Sequence, residues 1–425
     1  MVPAASVDSL RTQIVTSLAS WSDDLGVPPA RRGRPPILTD THLWGCTLLA
    51  VLDGCPTQRG IWGEITTGER WGAPVDVVDE TVRKRLLSRE SAPMAVFFAQ
   101  LTDLMTQTLA GETTLAPFAT EVYALDATTL DKVVRTDPDT GQRPLAGRVH
   151  TCFDLRRQLF RAIELTPNPA ANERPLVPPL VADLPTGSLL IMDRGYTSFA
   201  LFDDLVADGF HLLTRSDKTF TVTHTLTKAQ GVTDELGFCG VYRADKGQTL
   251  LRRITVPGPG GRPRTYLTSV LDPAVLPPIE VARLYARRWE VEVAFKTIKR
   301  GLGLHLIWSR QWPMIALQIW ATLVIFQIAS GIRAEIARRA GGSLFDVSLP
   351  LLLQRLPRIV QGPQGRQDAI GFIISRGRYG GIIRPARRTL PTVPDGLPVD
   401  PPPPDLPTSR IPRYRTATPK SLTVN

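Results

Sequence analysis

The chain has 425 residues, which is enough for two or three domains that each bury a core. Its 50 basic and 40 acidic residues give a net charge of +10, which favours a polyanionic partner such as nucleic acid. The four cysteines form no Cys-x2-Cys pair and there is no glycine-rich Walker loop, which argues against a cysteine zinc site and against ATP use.

The first region, residues 1–115, is predicted to be helical. The expected helices are Val7–Leu25, Asp40–Asp53, Val77–Leu87 and Pro93–Leu109. The third carries Arg83 and Lys84, and a basic third helix fits a helix-turn-helix DNA reader. A helical bundle with a solvated basic face is the alternative. Before the second helix, Arg32 and Arg34 would enter a narrow minor groove or form a plain basic linker.

The first candidate acid follows a short apolar strand predicted over Glu121–Asp126. Two more strands, Arg148–Leu155 and Leu159–Leu165, come next without a helix between them, which suggests an antiparallel meander. An acid at the end of a buried strand projects from the rim of a sheet, where ligands gather in α/β folds. Asp126 is therefore a candidate ligand, with a turn cap as the alternative.

The second candidate acid, Asp193, ends a strand predicted over Ser188–Asp193 and is followed by Arg-Gly-Tyr. A helix is expected on each side of this strand, and another strand follows. These elements are helix Pro178–Leu184, helix Phe199–Gly209 and strand Phe210–Arg215. For Asp193 taken as an isolated residue, a turn cap or a helix N-cap is the alternative.

A β-rich insertion is predicted at residues 219–271. The 99 positions between Asp193 and Glu292 (292 minus 193) are too many for a simple loop. The segment is rich in Thr, Val and Tyr and has turns at residues 245–247 and 257–263. These features indicate short antiparallel strands.

Four polar residues recur at helical spacing in one segment: Tyr285, Arg288, Glu292 and Lys299. Their offsets are 3, 4 and 7, which places them in a stripe roughly 60° wide on a single predicted helix. This helix is expected to start near Pro278 and to stop near Gly301 or Gly303. An acid among cations suits a metal ion beside a phosphodiester backbone, and the alternative is a solvated face with i, i+4 charge pairs.

The three acids together are more informative than each alone. Carboxylates from separate segments, here Asp126, Asp193 and Glu292, can hold two divalent ions that stabilise the attacking and leaving oxygens of a phosphoryl displacement. Trp289 lies in the same predicted helix. It is a candidate for stacking on a base, and a buried core tryptophan is the alternative.

The C-terminal third contains an apolar stretch and a proline-rich tail. Met314–Ile332 has nineteen residues without a charge, which is near membrane-span length. Gln318, Thr322 and Gln327 cluster loosely on one side, so we predict a core helix, packed on the sheet behind the helix that carries Glu292, rather than a membrane span. Residues 391–425 contain ten prolines and are predicted to be disordered.

The segments that carry the acids resemble the DDE transposases of bacterial insertion sequences, in the group with a Tyr-x2-Arg-x3-Glu-x6-Lys signature. Tyr285, Arg288, Glu292 and Lys299 match that signature without departure in spacing. Asp126 in Leu-Asp-Ala-Thr resembles the first acid of the family, and the Asp-Arg-Gly-Tyr segment that starts at Asp193 resembles the second. The resemblance covers about residues 120–304.

The resemblance implies an α/β fold with an RNase H-like catalytic core, a β-rich insertion and a helical N-terminal DNA-binding region. The predicted order of strands and helices agrees with such a core. The expected boundaries are 1–115 for the DNA-binding region, 116–218 and 272–360 for the catalytic domain, 219–271 for the insertion and 391–425 for the disordered basic tail.

The resemblance also implies an activity. Asp126, Asp193 and Glu292 would hold two Mg²⁺ (or Mn²⁺) ions for cleavage of transposon ends and strand transfer into target DNA. The expected DNA-contacting residues are Tyr285, Arg288, Lys299, Arg194, Tyr196, Arg215, Lys218, Trp289, Arg83, Lys84, Arg32 and Arg34.

The expected partner is double-stranded DNA, both terminal repeats and target. The expected assembly is a homodimer on DNA in the bacterial cytoplasm, at the nucleoid when active, with no membrane. Two alternatives are a catalytically inactive DNA-binding derivative and another RNase H-like nuclease.

Overall fold

The computed structural model describes most of the chain from residue 37 onward. The described residues are 37–69, 71–89, 91–216, 218–240, 247–258, 262–361, 370–376, 381–384, 397–407 and 409. They divide into two compact units. The first combines Met1–Leu115, Tyr123–Asp183 and Arg288–Thr389, and the second combines Ala116–Val122, Leu184–Arg287 and Leu390–Asn425. The predicted helix Val7–Leu25 lies outside the described residues.

From residue 37 onward, where the description of the first unit starts, four helices come first. They are α1 (Asp40–Leu52), α2 (Gln58–Thr67), α3 (Asp79–Arg89) and α4 (Ala92–Thr108). Thr39 and Thr57 cap α1 and α2 through side-chain oxygens that accept amide hydrogen bonds. The sequence predicted α1, α3 and α4 but not α2. Two glycines lower the helix propensity of α2, and only Ile61 and Ile65 are buried along it, so its apolar pattern is weak.

The predicted meander is present in the first unit as three antiparallel strands in the order β3-β2-β1. They are β1 (Val122–Thr129), β2 (Arg148–Asp154) and β3 (Leu159–Thr166). The turn between β2 and β3 is held by Asp154, whose Oδ1 accepts the amides of Arg156 and Arg157 at 2.8 and 2.9 Å. Gln158 completes this turn with a left-handed φ of 59°.

A short helix, α5 (Val177–Val181), follows the meander, and two later helices also belong to this unit. They are α9 (Trp312–Ala340) and α10 (Leu349–Gln361). α9 is the one helix in the described part of the chain that is long and apolar enough to cross a membrane, and 83% of its most apolar window is buried inside the protein. Its aromatic contacts with β2 and β3, such as Phe326 with Phe160 at 4.8 Å, agree with the predicted core helix.

Gln327 links α9 to the outer strand of the meander. Its Oε1 accepts from the Phe160 amide at 3.2 Å, and its Nε2 donates to the Phe160 carbonyl at 2.9 Å and to Thr102 Oγ1 at 2.7 Å. The side chain therefore satisfies backbone groups of β3 in the same way that a neighbouring strand would. A buried backbone group without such a partner would be costly.

We expect Gln327→Met to lower the free energy of unfolding by about 1–3 kcal/mol, because it removes the hydrogen bonds that Gln327 makes to the buried Phe160 amide and carbonyl. Urea unfolding followed by circular dichroism measures the change. Gln311→Met is the matched control, since Gln311 is exposed at the start of the same helix and its side chain makes no cap hydrogen bond. Equal stability of the two variants would contradict this role for Gln327.

The second unit contains a parallel pair of strands that is extended by four antiparallel strands. β4 (Leu189–Met192) and β5 (His211–Arg215) are parallel and are joined by α6 (Phe199–Ala207). The added strands are β6 (Phe220–Ala229), β7 (Val232–Cys239), β8 (Leu251–Val256) and β9 (Arg264–Thr268). The order is β4-β5-β9-β8-β7-β6, so the predicted insertion continues the β4–β5 sheet through the β5–β9 pair.

A buried ion pair connects two of these strands. Arg252 of β8 donates to both carboxylate oxygens of Asp234 on β7, at 2.8 and 2.5 Å, and also donates to the Leu276 carbonyl at 2.7 Å. Both side chains are fully buried. The next pair along the same strands, Arg253 with Glu235, is only partly buried.

Part of the proline-rich tail packs on β6 and β7 within the second unit. Thr227 Oγ1 donates to the Pro398 carbonyl at 2.7 Å, and the Asp400 amide donates to the Leu226 carbonyl at 3.1 Å. Val399 and Leu406 pack on a buried cluster formed by Leu226, Leu236, Phe238 and Leu250. The prediction of a disordered tail is therefore wrong for residues 397–407, because apolar residues between the prolines find a surface to bury.

Candidate active site

Asp126 lies inside β1, where the buried half of the strand gives way to half-exposed residues. The strand continues to Thr129, so the predicted strand end at Asp126 is three residues too early. The Oδ1 atom accepts a hydrogen bond from the Ala127 amide at 2.8 Å. The side chain is 14% exposed, so it is shielded from water but accessible to a ligand.

The signature segment is not one uninterrupted helix. It consists of α7 (Pro278–Arg287), α8 (Trp289–Lys296) and a π-helical turn at Thr297–Gly301, with a break at Arg288. The prediction of a single helix carrying one continuous stripe is wrong in this respect. Tyr285 belongs to the second unit, whereas Arg288, Glu292 and Lys299 belong to the first. Tyr285 is nearly buried and packs on Tyr266, with 5.2 Å between ring centroids.

Arg288 joins two of the predicted acids. Its Nη1 donates to Asp126 Oδ2 at 2.6 Å, and its Nη2 donates to Glu292 Oε1 at 2.5 Å. The Arg288 side chain is 13% exposed and that of Glu292 is 34% exposed. Asp126 and Glu292, which lie 166 positions apart in the sequence (292 minus 126), therefore bind the same guanidinium, as expected for a shared site.

Lys299 lies in the π-helical turn that follows α8, and its side chain is hydrogen-bonded to the end of β1. Its Nζ donates to the Thr129 carbonyl at 2.6 Å, three residues after Asp126. Burial lowers the pKa of Lys299, and the nearby Asp131 carboxylate acts in the opposite direction. The ammonium group thus fastens the signature segment to the strand that carries the first acid. Its predicted contact with DNA phosphate stays a prediction.

Asp193 lies in the second unit, directly after β4. It caps a 3₁₀ turn at Arg194–Tyr196, and its Oδ1 accepts from the Arg194 amide at 2.6 Å. The cap that its sequence also suggested is therefore real, but the second carboxylate oxygen is not part of that hydrogen bond. Arg194 is exposed, whereas Tyr196 is fully buried.

Within the described residues, no group of three or more His, Cys, Asp or Glu side chains is arranged to hold a metal ion. Asp126 and Glu292 are the pair that converges, and the convergence is on a guanidinium. Carboxylate oxygens are the ligands that Mg²⁺ and Mn²⁺ prefer. The chemistry of this pair fits a divalent cation, and a cationic group already bound between the two acids demonstrates that both face a common position.

The remaining predicted DNA contacts differ in accessibility. Trp289 is 62% exposed, so the alternative of a buried core tryptophan is wrong. Lys218 is exposed and Arg215 is half-buried in the second unit. In α3, Lys84 is exposed, and Arg83 forms two hydrogen bonds with Glu80 at 2.7 and 2.8 Å. Arg32 and Arg34 lie outside the described residues.

Sequence reasoning missed the aromatic and basic surroundings of Tyr285. Burial raises the pKa of Tyr266, with Arg264 and Arg215 acting in the opposite direction. These residues come from β5 and β9, which pair in register at Arg215 and Tyr266. No local pattern in the β9 sequence indicates this neighbourhood, because it depends on a pairing across about fifty residues.

Comparison with known proteins identifies the family. Residues 117–327, about half of the chain, match the family described as Transposase DDE domain. A curated protein of Sinorhizobium fredii (strain NBRC 101917 / NGR234), named "Putative transposase y4zB", is 23% identical over 214 residues. That alignment covers 48% of this chain and 56% of the relative, so the chain spans little more than half of the relative's length.

Among solved structures, the chain is similar to a piggyBac transposase in a synaptic complex with hairpin DNA. The TM-score is 0.44 at 11% sequence identity, over 91% of this chain and 85% of the other. The family match covers the meander, Asp193 and the signature segment described above. Through residues 117–327, the chain belongs to the DDE transposase family.

Proposed function

We propose that this protein cuts DNA at the ends of a mobile element and joins those ends to target DNA. The observation that carries the proposal is the convergence of Asp126 and Glu292 on a single cation within the DDE domain. We further propose an RNase H-like catalytic core and membership of the Tyr-Arg-Glu-Lys signature group. The matching spacing of the four signature residues supports the latter.

Asp126, Glu292 and Asp193 would hold two Mg²⁺ or Mn²⁺ ions. When bound, such ions stabilise the attacking and leaving oxygens of an in-line phosphoryl displacement. In the first step, a water oxygen bonds to phosphorus and the bond to the 3′ oxygen breaks, which leaves a 3′-hydroxyl. In the second, the oxygen of that hydroxyl bonds to a target phosphorus and the bond from this phosphorus to the target's 3′ oxygen breaks, which leaves a 3′-hydroxyl on the target strand and needs no covalent protein intermediate.

The surrounding residues would position DNA. Exposed Trp289 is suited to stacking on a base, and the cationic side chains of Arg194, Lys218 and Arg215 are suited to phosphates. Tyr285 and Tyr196 are buried in the second unit, so each would brace its own segment there. Lys299 would keep β1 and the signature segment together, and its charge would add to the attraction for DNA.

The helical N-terminal region would bind the terminal repeats, with Lys84 and Arg83 of α3, and Arg32 and Arg34 before α1, as candidate contacts. Two ends must be brought together, so we propose a homodimer on DNA. Because DNA is the substrate, we propose that the protein acts at the nucleoid in the bacterial cytoplasm.

The activity is tested with the full chain, a labelled duplex that carries the ends of its own element, and a supercoiled target plasmid. With Mg²⁺, we expect cut ends with a 3′-hydroxyl and covalent joining to the plasmid. Removal of the ion with a chelator is expected to abolish both products, and added Mn²⁺ is expected to restore them, because the three acids cannot act without the cations.

The products separate the alternatives. Cutting without joining would indicate another RNase H-like nuclease and would contradict the transposition proposal. Binding of end DNA with no cutting under any divalent ion would indicate an inactive DNA-binding derivative. Cutting that persists in the presence of chelator would overturn the metal-dependent chemistry.

A further inference from the structure

We propose that Arg288 is a gate on the metal site: it occupies Asp126 and Glu292 in DNA-free protein, and it releases them to divalent cations when DNA phosphate accepts its guanidinium. The inference rests on the proposed function, because it takes these two acids as metal ligands. It adds a link between DNA binding and metal binding that the carboxylates alone would not provide.

Arg288 occupies one carboxylate oxygen of each acid. Its two Nη atoms donate to Asp126 Oδ2 and Glu292 Oε1 at 2.6 and 2.5 Å, which are short, charge-assisted contacts. The other Asp126 oxygen, Oδ1, accepts the Ala127 amide. A divalent ion that binds both acids therefore competes with the guanidinium for these oxygens.

Electrostatic repulsion keeps Arg288 and a divalent cation from binding the same two acids together. A guanidinium and a divalent cation repel each other, and this repulsion is strong where water is largely excluded. Arg288 is 13% exposed and Asp126 is 14% exposed, so little solvent screens them. Occupation by Arg288 and occupation by metal ions are thus competing states of the same pair of acids.

A DNA phosphate is the group that would draw Arg288 away from the two acids. A guanidinium that leaves two carboxylates needs another anion, and its planar fork matches a phosphate. The half-exposed Glu292 and the exposed Trp289 next to Arg288 show that this side of α8 is open to a ligand. DNA that binds here would raise the affinity for metal ions and, by reciprocity, metal ions would raise the affinity for DNA.

The test measures Mn²⁺ binding by the electron paramagnetic resonance signal of the free ion, with no turnover involved. In DNA-free full-length protein, we expect Arg288→Gln to bind Mn²⁺ at least about tenfold more tightly than the wild type, since the competitor is removed. Addition of a short duplex is expected to tighten Mn²⁺ binding by the wild type but not by Arg288→Gln.

Arg310→Gln is the matched control, because Arg310 forms an ion pair with a single carboxylate, Asp137, in the same unit. It is expected to bind Mn²⁺ like the wild type. Arg288→Lys retains a charge but not the fork, and an intermediate affinity is expected. It also provides a second variant if Arg288→Gln does not fold.

Unchanged Mn²⁺ affinity in both Arg288 variants would overturn the gate. Failure of the proposed site gives a different result. If Asp126→Asn and Glu292→Gln, placed in the Arg288→Gln background, do not weaken Mn²⁺ binding, then the two acids are not metal ligands. If they weaken it while Arg288→Gln alone changes nothing, the site stands and the gate does not.

Discussion

Glu292→Gln is expected to reduce cleavage of end-containing DNA by about 10³-fold, the largest effect on activity that we anticipate for one substitution. The amide keeps the size and a hydrogen-bonding oxygen, but it loses the negative charge that a divalent cation requires. It also removes one of the two ion pairs of Arg288. The same loss is expected for Asp126→Asn and for Asp193→Asn.

Single-turnover cleavage in Mg²⁺ measures the rate, and a gel-shift assay with the same duplex measures DNA binding. The gel shift, run without divalent cations, is expected to show binding at least as tight as that of the wild type, because the acids do not attract phosphate and Glu292→Gln loosens the hold on Arg288. Glu290→Gln is the control, as it makes the same chemical change two positions away on α8. A Glu292→Gln rate within a few-fold of the Glu290→Gln rate would remove Glu292 from the proposed chemistry.

Asp234→Ala is expected to destabilise the protein by about 3–5 kcal/mol, because it leaves the Arg252 guanidinium buried without its counter-charge. Both side chains are fully buried, so no water replaces the lost carboxylate. Arg252 would keep its hydrogen bond to the Leu276 carbonyl, but that carbonyl carries no formal charge. The unfolding of the second unit in urea, followed by fluorescence, is the measurement.

The neighbouring pair provides the control. Glu235→Ala breaks an ion pair between the same two strands, but Arg253 is 26% exposed, so a cost of about 1 kcal/mol or less is expected. The double variant Asp234→Leu/Arg252→Met is expected to recover much of the lost stability, since apolar residues can replace a buried pair. Equal costs for Asp234→Ala and Glu235→Ala would contradict the assigned burial effect.

The strands were predictable from the sequence because the signal is local. Apolar runs of strand length precede Asp126 and Asp193, and β1, β2, β3, β4 and β5 overlap the strands that those runs predicted, although β1 continues three residues past its predicted end. The buried helix α9 was predictable for the same reason, from nineteen uncharged residues with a few amides on one side.

The interruption at Arg288 could not be predicted. Its own backbone keeps helical angles, with φ −52° and ψ −32°, and arginine is a good helix former. Its contact with Asp126 spans 162 positions, so helix periodicity contains no information about it. The ordered part of the tail was not predicted either. Proline content indicates that an isolated segment is disordered, but it contains no information about the surface on which the segment can pack.

The contact between Thr227 and Pro398 has a consequence for how the molecule is made. The two residues are 171 positions apart, and the β6–β7 hairpin leaves the ribosome long before the tail exists. During that interval, Leu226 and its apolar neighbours lack the cover that Val399 and Leu406 supply. The core of the second unit is therefore complete only after residues 397–407 have been synthesised, so a ribosome that stalls before them releases a polypeptide with an uncovered apolar cluster next to β6.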